Sequence, residues 1–200
     1  MPNFIENKVI LSSKFSNQNI PISYDLIFIG SLAKLKQPDV ALKTFVSLKK
    51  DNACIRKLHI YGSGAMKDSL EGMAESLGAS QDILMHGYIN SPLSLPFVNP
   101  ILMVTSLTEA MPMVIVEALV RGIPVMCNKY VGAEFFNIKN GMFFLVDFED
   151  LESVRDVLEI ITKLSDFDIS LRRSRSISFV KKNFNNNHTV SLFEDYVYKL

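Results

Sequence analysis

The sequence predicts an α/β fold: a doubly wound, Rossmann-like parallel sheet with extra helices at its C-terminal end. Two observations carry this. Short, nearly continuous apolar runs recur from residue 24 onward, as strands covered on both faces require. Segments of helical period lie between them, which means repeated βαβ units joined by right-handed crossovers.

The first strand is "DLIFIG" (25–30), and Ala41, Phe45 and Leu48 then recur at i, i+4, i+7 to predict a helix. "KLHIYG" (57–62) is the second strand, with Met66, Leu70, Met73 and Leu77 marking the second helix. "DILMHG" (82–87) and "ILMVTS" (101–106) follow; runs ending in Gly or Ser suit strands that feed tight loops. Pro112 suits the first turn of a helix, where a missing N–H costs nothing, and "IPVMC" (123–127) is the next strand. "GMFFLV" (141–146) follows the Asn140-Gly141 turn. From about Asp147 the chain reads as helical to its end, with a break near "NFNNNH" (183–188). Residues 1–23 show turn residues and no clear period. The expected division is a linker over 1–23, the main domain over 24–164 and C-terminal helices over 165–200.

Composition excludes several classes. Lys and Arg number 21 and Asp and Glu number 21, so no global basic field draws nucleic acid. No run of eighteen apolar residues predicts a transmembrane helix. The opening "MPNFIENKVILSSKF" is too mixed for a signal peptide. Cys54 and Cys127 make neither a disulfide framework nor a metal spacing. A cytoplasmic protein with reduced thiols is the expectation.

Two glutamates stand out in "SLTEAMPMVIVEALVRGIPVM". Ligands of open α/β sheets bind beyond the carboxyl ends of the strands, and Glu109 leaves the strand "ILMVTS" at that edge. Glu117 lies about five residues into the following helix, among Val114, Ile115, Val116, Ala118, Leu119 and Val120. The ordinary reading is a helix-start carboxylate and a solvent stripe. So apolar a helix leaves little room for a polar face, however, and ligand hydroxyls would suit a carboxylate there.

Glu109, seven residues, Glu117 and then "ALVRGIPVM" resemble the E-x7-E signature of retaining GT-B glycosyltransferases in the large glycosyl transferases group 1 family. The match covers Ser106, Glu109, Pro112, Val114, Glu117, Ala118, Gly122, Pro124 and Val125. It departs at Ala110, where Gly is usual, and at Val120. "IFIGSLAKLKQPD" is similar to the family's phosphate-binding loop at Gly30, Leu32, Lys36 and Asp39, with Ser31 replacing an Arg and Gln37 a Gly. Loss of a bidentate Arg shifts weight onto Lys36, with Lys34 a candidate substitute. Gly62 and Gly64 of "IYGSGAMKDSLE" resemble a glycine turn that lets the nucleotide approach. The segment "ILMHGYIN" resembles the strand end beside the base, at His86 and Tyr88. "VGAEFF" and "NGMFFLV" match at Gly132, Glu134, Asn140 and Gly141, and Pro2 and Asn3 match the family's interdomain linker.

The resemblance implies the C-terminal, donor-binding half of a transferase that moves a hexose from a UDP- or GDP-sugar, with retention. The acceptor would be a glycan or lipid-linked sugar in capsule, lipopolysaccharide or exopolysaccharide synthesis. Lys36 would hold the diphosphate, Glu109 the donor sugar and Glu117 the ribose. Gly30, Ser31, Gly62, Gly64 and His86 would line the donor site. The amides of Met113 and Val114 would add positive potential at a helix mouth. No cofactor and no metal is implied; the nucleotide sugar is a substrate. An N-terminal acceptor-binding domain outside this chain is the implied partner, and these 200 residues alone are expected to be inactive. The basic stretch "SLRRSRSISFVKK" reads as a surface helix, with contact to the inner face of an anionic membrane as the sharper alternative. "SDFDIS" reads as a solvated helix start at Ser165, not a metal-binding D-x-D. A stand-alone subunit pairing with a separate acceptor-binding chain, a related epimerase or phosphorylase, and a nucleotide-sugar sensor are the rival readings.

Overall fold

The computed structural model describes residues 22–109, 112–130, 132–137, 139 and 141–184. The expected linker over 1–23 therefore lies almost wholly outside the described residues, as do Asn140 and residues 185–200. Among the described residues six strands form one parallel sheet: β1 (Tyr24–Ile29), β2 (Ile55–Tyr61), β3 (Ile83–Gly87), β4 (Ile101–Val104), β5 (Val125–Asn128) and β6 (Phe143–Val146). Their order is β3-β2-β1-β4-β5-β6, so the direction of winding reverses between β1 and β4. This is the predicted doubly wound, Rossmann-like fold.

Five α-helices among the described residues cover the sheet: α1 (Pro38–Asp51), α2 (Lys67–Ser76), α3 (Met113–Arg121), α4 (Leu151–Thr162) and α5 (Asp166–Asn183). Side-chain alternation along the strands assigns the two faces. Leu26, Phe28, Leu58 and Ile60 pack with Phe45 of α1, Leu70 of α2 and Leu158 of α4. Ile27, Leu102, Val104, Val125 and Cys127 pack with Ile115 and Leu119 of α3 and Val180 of α5. The crossover from β3 to β4 holds only a 3-10 turn, Pro92–Ser94. No described helix is long and apolar enough to cross a membrane.

Local chemistry sets the helix limits. The helical reading from Asp147 resolves into two helices. Asp150 caps α4, its side chain accepting the Glu152 N–H, and Ser165 caps α5, accepting from Asp168. "SDFDIS" is thus a capped helix start, as expected. Pro112 differs slightly from expectation: it sits at the N-cap, one residue before α3 begins.

The loops after β1 and β2 pack backbone against backbone. The Gly30 N–H donates to Tyr61 O at 3.0 Å, Leu32 N–H to Ser63 O at 2.9 Å and Met66 N–H to Leu32 O at 3.0 Å. Only glycine fits here. A Cβ on Gly62 would lie 1.8 Å from Gly30 O, and one on Gly64 2.4 Å from Leu32 O. The two glycines thus serve first to let these loops touch each other. Gly62→Ala is expected to destabilise the fold by about 3 kcal/mol, read from a urea midpoint. Gly72→Ala, in α2 with nothing near the added methyl, should instead stabilise by about 0.5 to 1 kcal/mol.

Candidate active site

The site grows from the reversal between β1 and β4. These strands are parallel neighbours, paired Leu26↔Ile101 through Phe28↔Met103, so both leave the sheet at the same edge. The loop after β1 carries the 3-10 turn Lys34–Lys36, and the loop after β4 carries Thr105 to Glu109. Thr105 is fully buried, and its hydroxyl lies 2.8 Å from Lys36 O and 2.9 Å from Gln37 O, donating to that carbonyl pair. The Leu107 N–H donates to Leu35 O at 3.0 Å. The two loops are strapped together before any ligand arrives.

The strap delivers an ion pair. Lys36 Nζ lies 2.5 Å from both carboxylate oxygens of Glu109, with 27% of the lysine side chain and 12% of the glutamate exposed. Ser106, itself buried, donates its hydroxyl to Glu109 Oε1 at 2.7 Å. Asn128, at the end of β5, donates Nδ2 to Ser106 O at 3.4 Å. A carboxylate held by an ammonium and a hydroxyl keeps its orientation.

The next residues along β5 feel that charge. Burial pushes the Cys127 thiol up to about 12; the neighbouring Tyr130 side chain opposes this and the nearby Glu109 carboxylate adds to it. The Tyr130 phenol is raised as well, first by burial and then by Cys127 and Glu109. Its hydroxyl is buried and has no hydrogen-bond partner among the described residues.

The other anticipated residues take varied positions. Gly30 adjoins Lys36: a Cβ there would be 3.8 Å from Lys36 Cγ. Gly62 and Gly64 press on the same loop. Ser31 and Lys34 are exposed, and Lys34 makes no ion pair among the described residues. Gln37, in the place where the resembling motif has Gly, adopts a left-handed backbone with φ 49° and ψ 53°. Met113 and Val114 open α3, where amides lack intrahelical partners. Glu117 is half-exposed on the stripe it shares with Met113 and Val120, and its carboxylate has no hydrogen bond or ion pair among the described residues. It does not meet Glu109 directly. His86 is exposed at the end of β3, two strands from β1, and its ring stacks on Tyr61 at 4.4 Å. Exposed Tyr88 donates its hydroxyl to Asn90 at 2.8 Å.

Thr105, Ser106's grip on Glu109, Asn128, Tyr130 and the His59–Tyr61 platform under His86 were not anticipated. The available signal was polarity in strands otherwise apolar: "KLHIYG" holds a histidine and "ILMVTS" ends in two hydroxyls.

The comparisons with known proteins agree with this geometry. The family model described as Glycosyl transferases group 1 matches residues 12–174. Over 166 residues the chain is 25% identical to a poly(ribitol-phosphate) alpha-N-acetylglucosaminyltransferase of Staphylococcus aureus, covering 78% of this chain and 33% of that protein. Over 167 residues it is 26% identical to a Campylobacter jejuni alpha-1,4-N-acetyl-D-galactosaminyltransferase named for an undecaprenol-linked acceptor, covering 83% of this chain and 45% of that one. The chain thus spans less than half the length of either relative. Among solved structures, Anabaena HepE in complex with UDP and glucose superposes with a TM-score of 0.72 at 15% identity, over 90% of this chain and 49% of that one.

The environment of Cys127 has a chemical consequence. At about pH 8 a thiol titrating near 12 is about one part in ten thousand thiolate. A thiol reagent should therefore modify half-buried Cys54 and reach buried Cys127 only after denaturation. Prompt reaction of both thiols in the folded protein would contradict this placement.

Proposed function

This chain belongs to the glycosyl transferases group 1 family, and from that premise we propose that it binds the nucleotide-sugar donor of a retaining glycosyltransferase. The observation that carries the reading is the meeting of Lys36 and Glu109 at the carboxyl edge where the winding reverses. Departure of a nucleoside diphosphate leaves negative charge on its terminal phosphate. Lys36 and the amides of Met113 and Val114 offer that charge a positive environment without requiring a metal. Ser31, lacking the guanidinium found in the resembling motif, can add only a hydroxyl. Glu109 and Glu117, acceptor-only when ionised, would take donor-sugar and ribose hydroxyls respectively. His86 would border the base.

UDP is the favoured nucleotide, because HepE, a fold relative, is described as bound to UDP and glucose. An N-acetylhexosamine is the favoured sugar, since both sequence relatives are named for transferring one. A glycan or lipid-linked acceptor would be held by a further domain that closes over Lys36 and Glu109. The exposed cations Arg175, Lys181 and Lys182 of α5 suit contact with an anionic membrane surface bearing such an acceptor. Alone, the donor-binding part is inactive as a transferase.

Calorimetry with UDP-N-acetylglucosamine tests this. Lys36→Ala should weaken binding by about tenfold or more, as loss of a charge-assisted contact does. Glu109→Gln should do the opposite for UDP, which lacks the sugar that Glu109 would hold. In the free site Lys36 is neutralised by Glu109, so removing that charge frees the ammonium and should tighten UDP binding by about fivefold. The same variant should abolish transfer when assayed with the acceptor-binding domain present. Absence of binding by the unmutated chain to UDP-, GDP- and ADP-sugars alike would refute the reading.

A further inference from the structure

Asp25, His59 and His86 stand on the neighbouring strands β1, β2 and β3 and form a continuous polar chain. Asp25 is fully buried; its carboxylate accepts from Arg56 Nε at 2.9 Å, Arg56 Nη2 at 2.5 Å and the Val98 N–H at 2.9 Å. Asp25 Oδ2 also lies 3.7 Å from His59 Nε2, a buried nitrogen with no hydrogen-bond partner among the described residues. The second nitrogen of His59, Nδ1, is 3.0 Å from His86 Nε2.

Two neutral imidazoles in such contact share one proton, so only one of them donates. The carboxylate decides which. A lone pair on His59 Nε2 would be repelled by Asp25, whereas an N–H there is attracted. His59 therefore carries its proton on Nε2 and accepts at Nδ1. His86 must then donate inward from Nε2, which leaves its Nδ1 with the free lone pair. Stacking fixes the ring in this role: His86 lies 4.4 Å from Tyr61 and 5.2 Å from His59, nearly parallel to both, with Phe97 edge-on to the two β2 rings.

We propose that Asp25 and His59 are positioning residues that hold His86 as a hydrogen-bond acceptor, and that His86 Nδ1 accepts an N–H from the nucleobase of the donor. The base class this selects is one with a ring imide or lactam N–H, as in uracil or guanine. The ligand half of the proposal rests on the nucleotide-sugar reading; the tautomer half does not. The neutral form prevails near pH 7, because burial lowers the pKa of both rings. For His59, Asp25 opposes that shift while His86, Arg56 and Lys57 reinforce it. Tyr61 beside them has its phenol raised by burial, and Phe97 brings no charge.

Long-range nitrogen–proton NMR on the whole chain decides the tautomers. The expected spectrum shows Nε2–H on both rings and a coupling across the hydrogen bond from His86 Nε2 to His59 Nδ1. A proton on His59 Nδ1 would overturn the assignment. Binding of UDP-N-acetylglucosamine, whose diphosphate diester keeps its charge through the histidine range, decides the ligand half. Protonating His86 fills the acceptor lone pair, so affinity should fall with acidification by up to about tenfold per pH unit below its pKa. Affinity that rises on acidification, as simple attraction between an imidazolium and a diphosphate requires, or that stays flat, overturns it. His86→Phe keeps a ring on Tyr61 and should bind about tenfold more weakly with no pH slope; an unchanged slope in that variant also overturns the proposal. No binding at any pH would remove the nucleotide-sugar reading and the ligand half together, while the NMR spectrum would still settle the tautomers.

Discussion

The parallel pairing of β1 with β4 is the constraint on which the site depends. Each strand's nearest successor in sequence lies on its other side, so the sheet winds outward in two directions from this seam. Helices cover both faces of the sheet, and the chain after β1 and the chain after β4 emerge side by side over a gap that neither outward crossover fills. Residues 69 and 73 apart in sequence, Thr105 with Lys36 and Lys36 with Glu109, are thereby brought within hydrogen-bond distance.

Within that gap the protein satisfies its own charges. Lys36 and Glu109 are each partly buried, and an isolated charge at such depth is costly. Their mutual contact, with the Ser106 hydroxyl, solves this in the free state. The same logic governs the other end of the sheet, where the wholly buried Asp25 gathers Arg56, the Val98 amide and His59. The first network lies at the carboxyl edge of the strands, where ligands of such sheets bind; the second is anchored on a wholly buried carboxylate, although Arg56 is partly exposed, and reaches the outer histidine through His59.

Much of the fold was legible in the sequence because burial on both faces writes strands as unbroken apolar runs. All six runs became strands within two residues of their read limits. Helix ends were less so: the break between α4 and α5 depends on Ser165 acting as a cap, and Pro112 stops one position short of its helix. Lys36 and Glu109 were legible through motif spacing. Thr105 and His59 were not. The partners of Thr105 lie in the turn after β1 and those of His59 on β1 and β3, and such meetings are a property of the assembled sheet rather than of any segment. Glu117 was expected to need a partner because its helix is so apolar. In the structure that helix turns Met113 and Val120 outward beside it, so the stripe is apolar and open together.

Gln37 gives the site loop a mechanical character. A non-glycine residue in left-handed conformation, followed directly by Pro38, is disfavoured by both its own Cβ and the proline ring, by about 1 to 2 kcal/mol. What restrains it is the buried threonine hydroxyl across the seam. The segment bearing the ammonium is therefore under tension, as is the loop where left-handed Ser91 precedes Pro92, while no non-glycine residue of the six strands has a positive φ. Thermal opening of this domain should begin there, with the lysine arm swinging free while the strands behind it remain zipped.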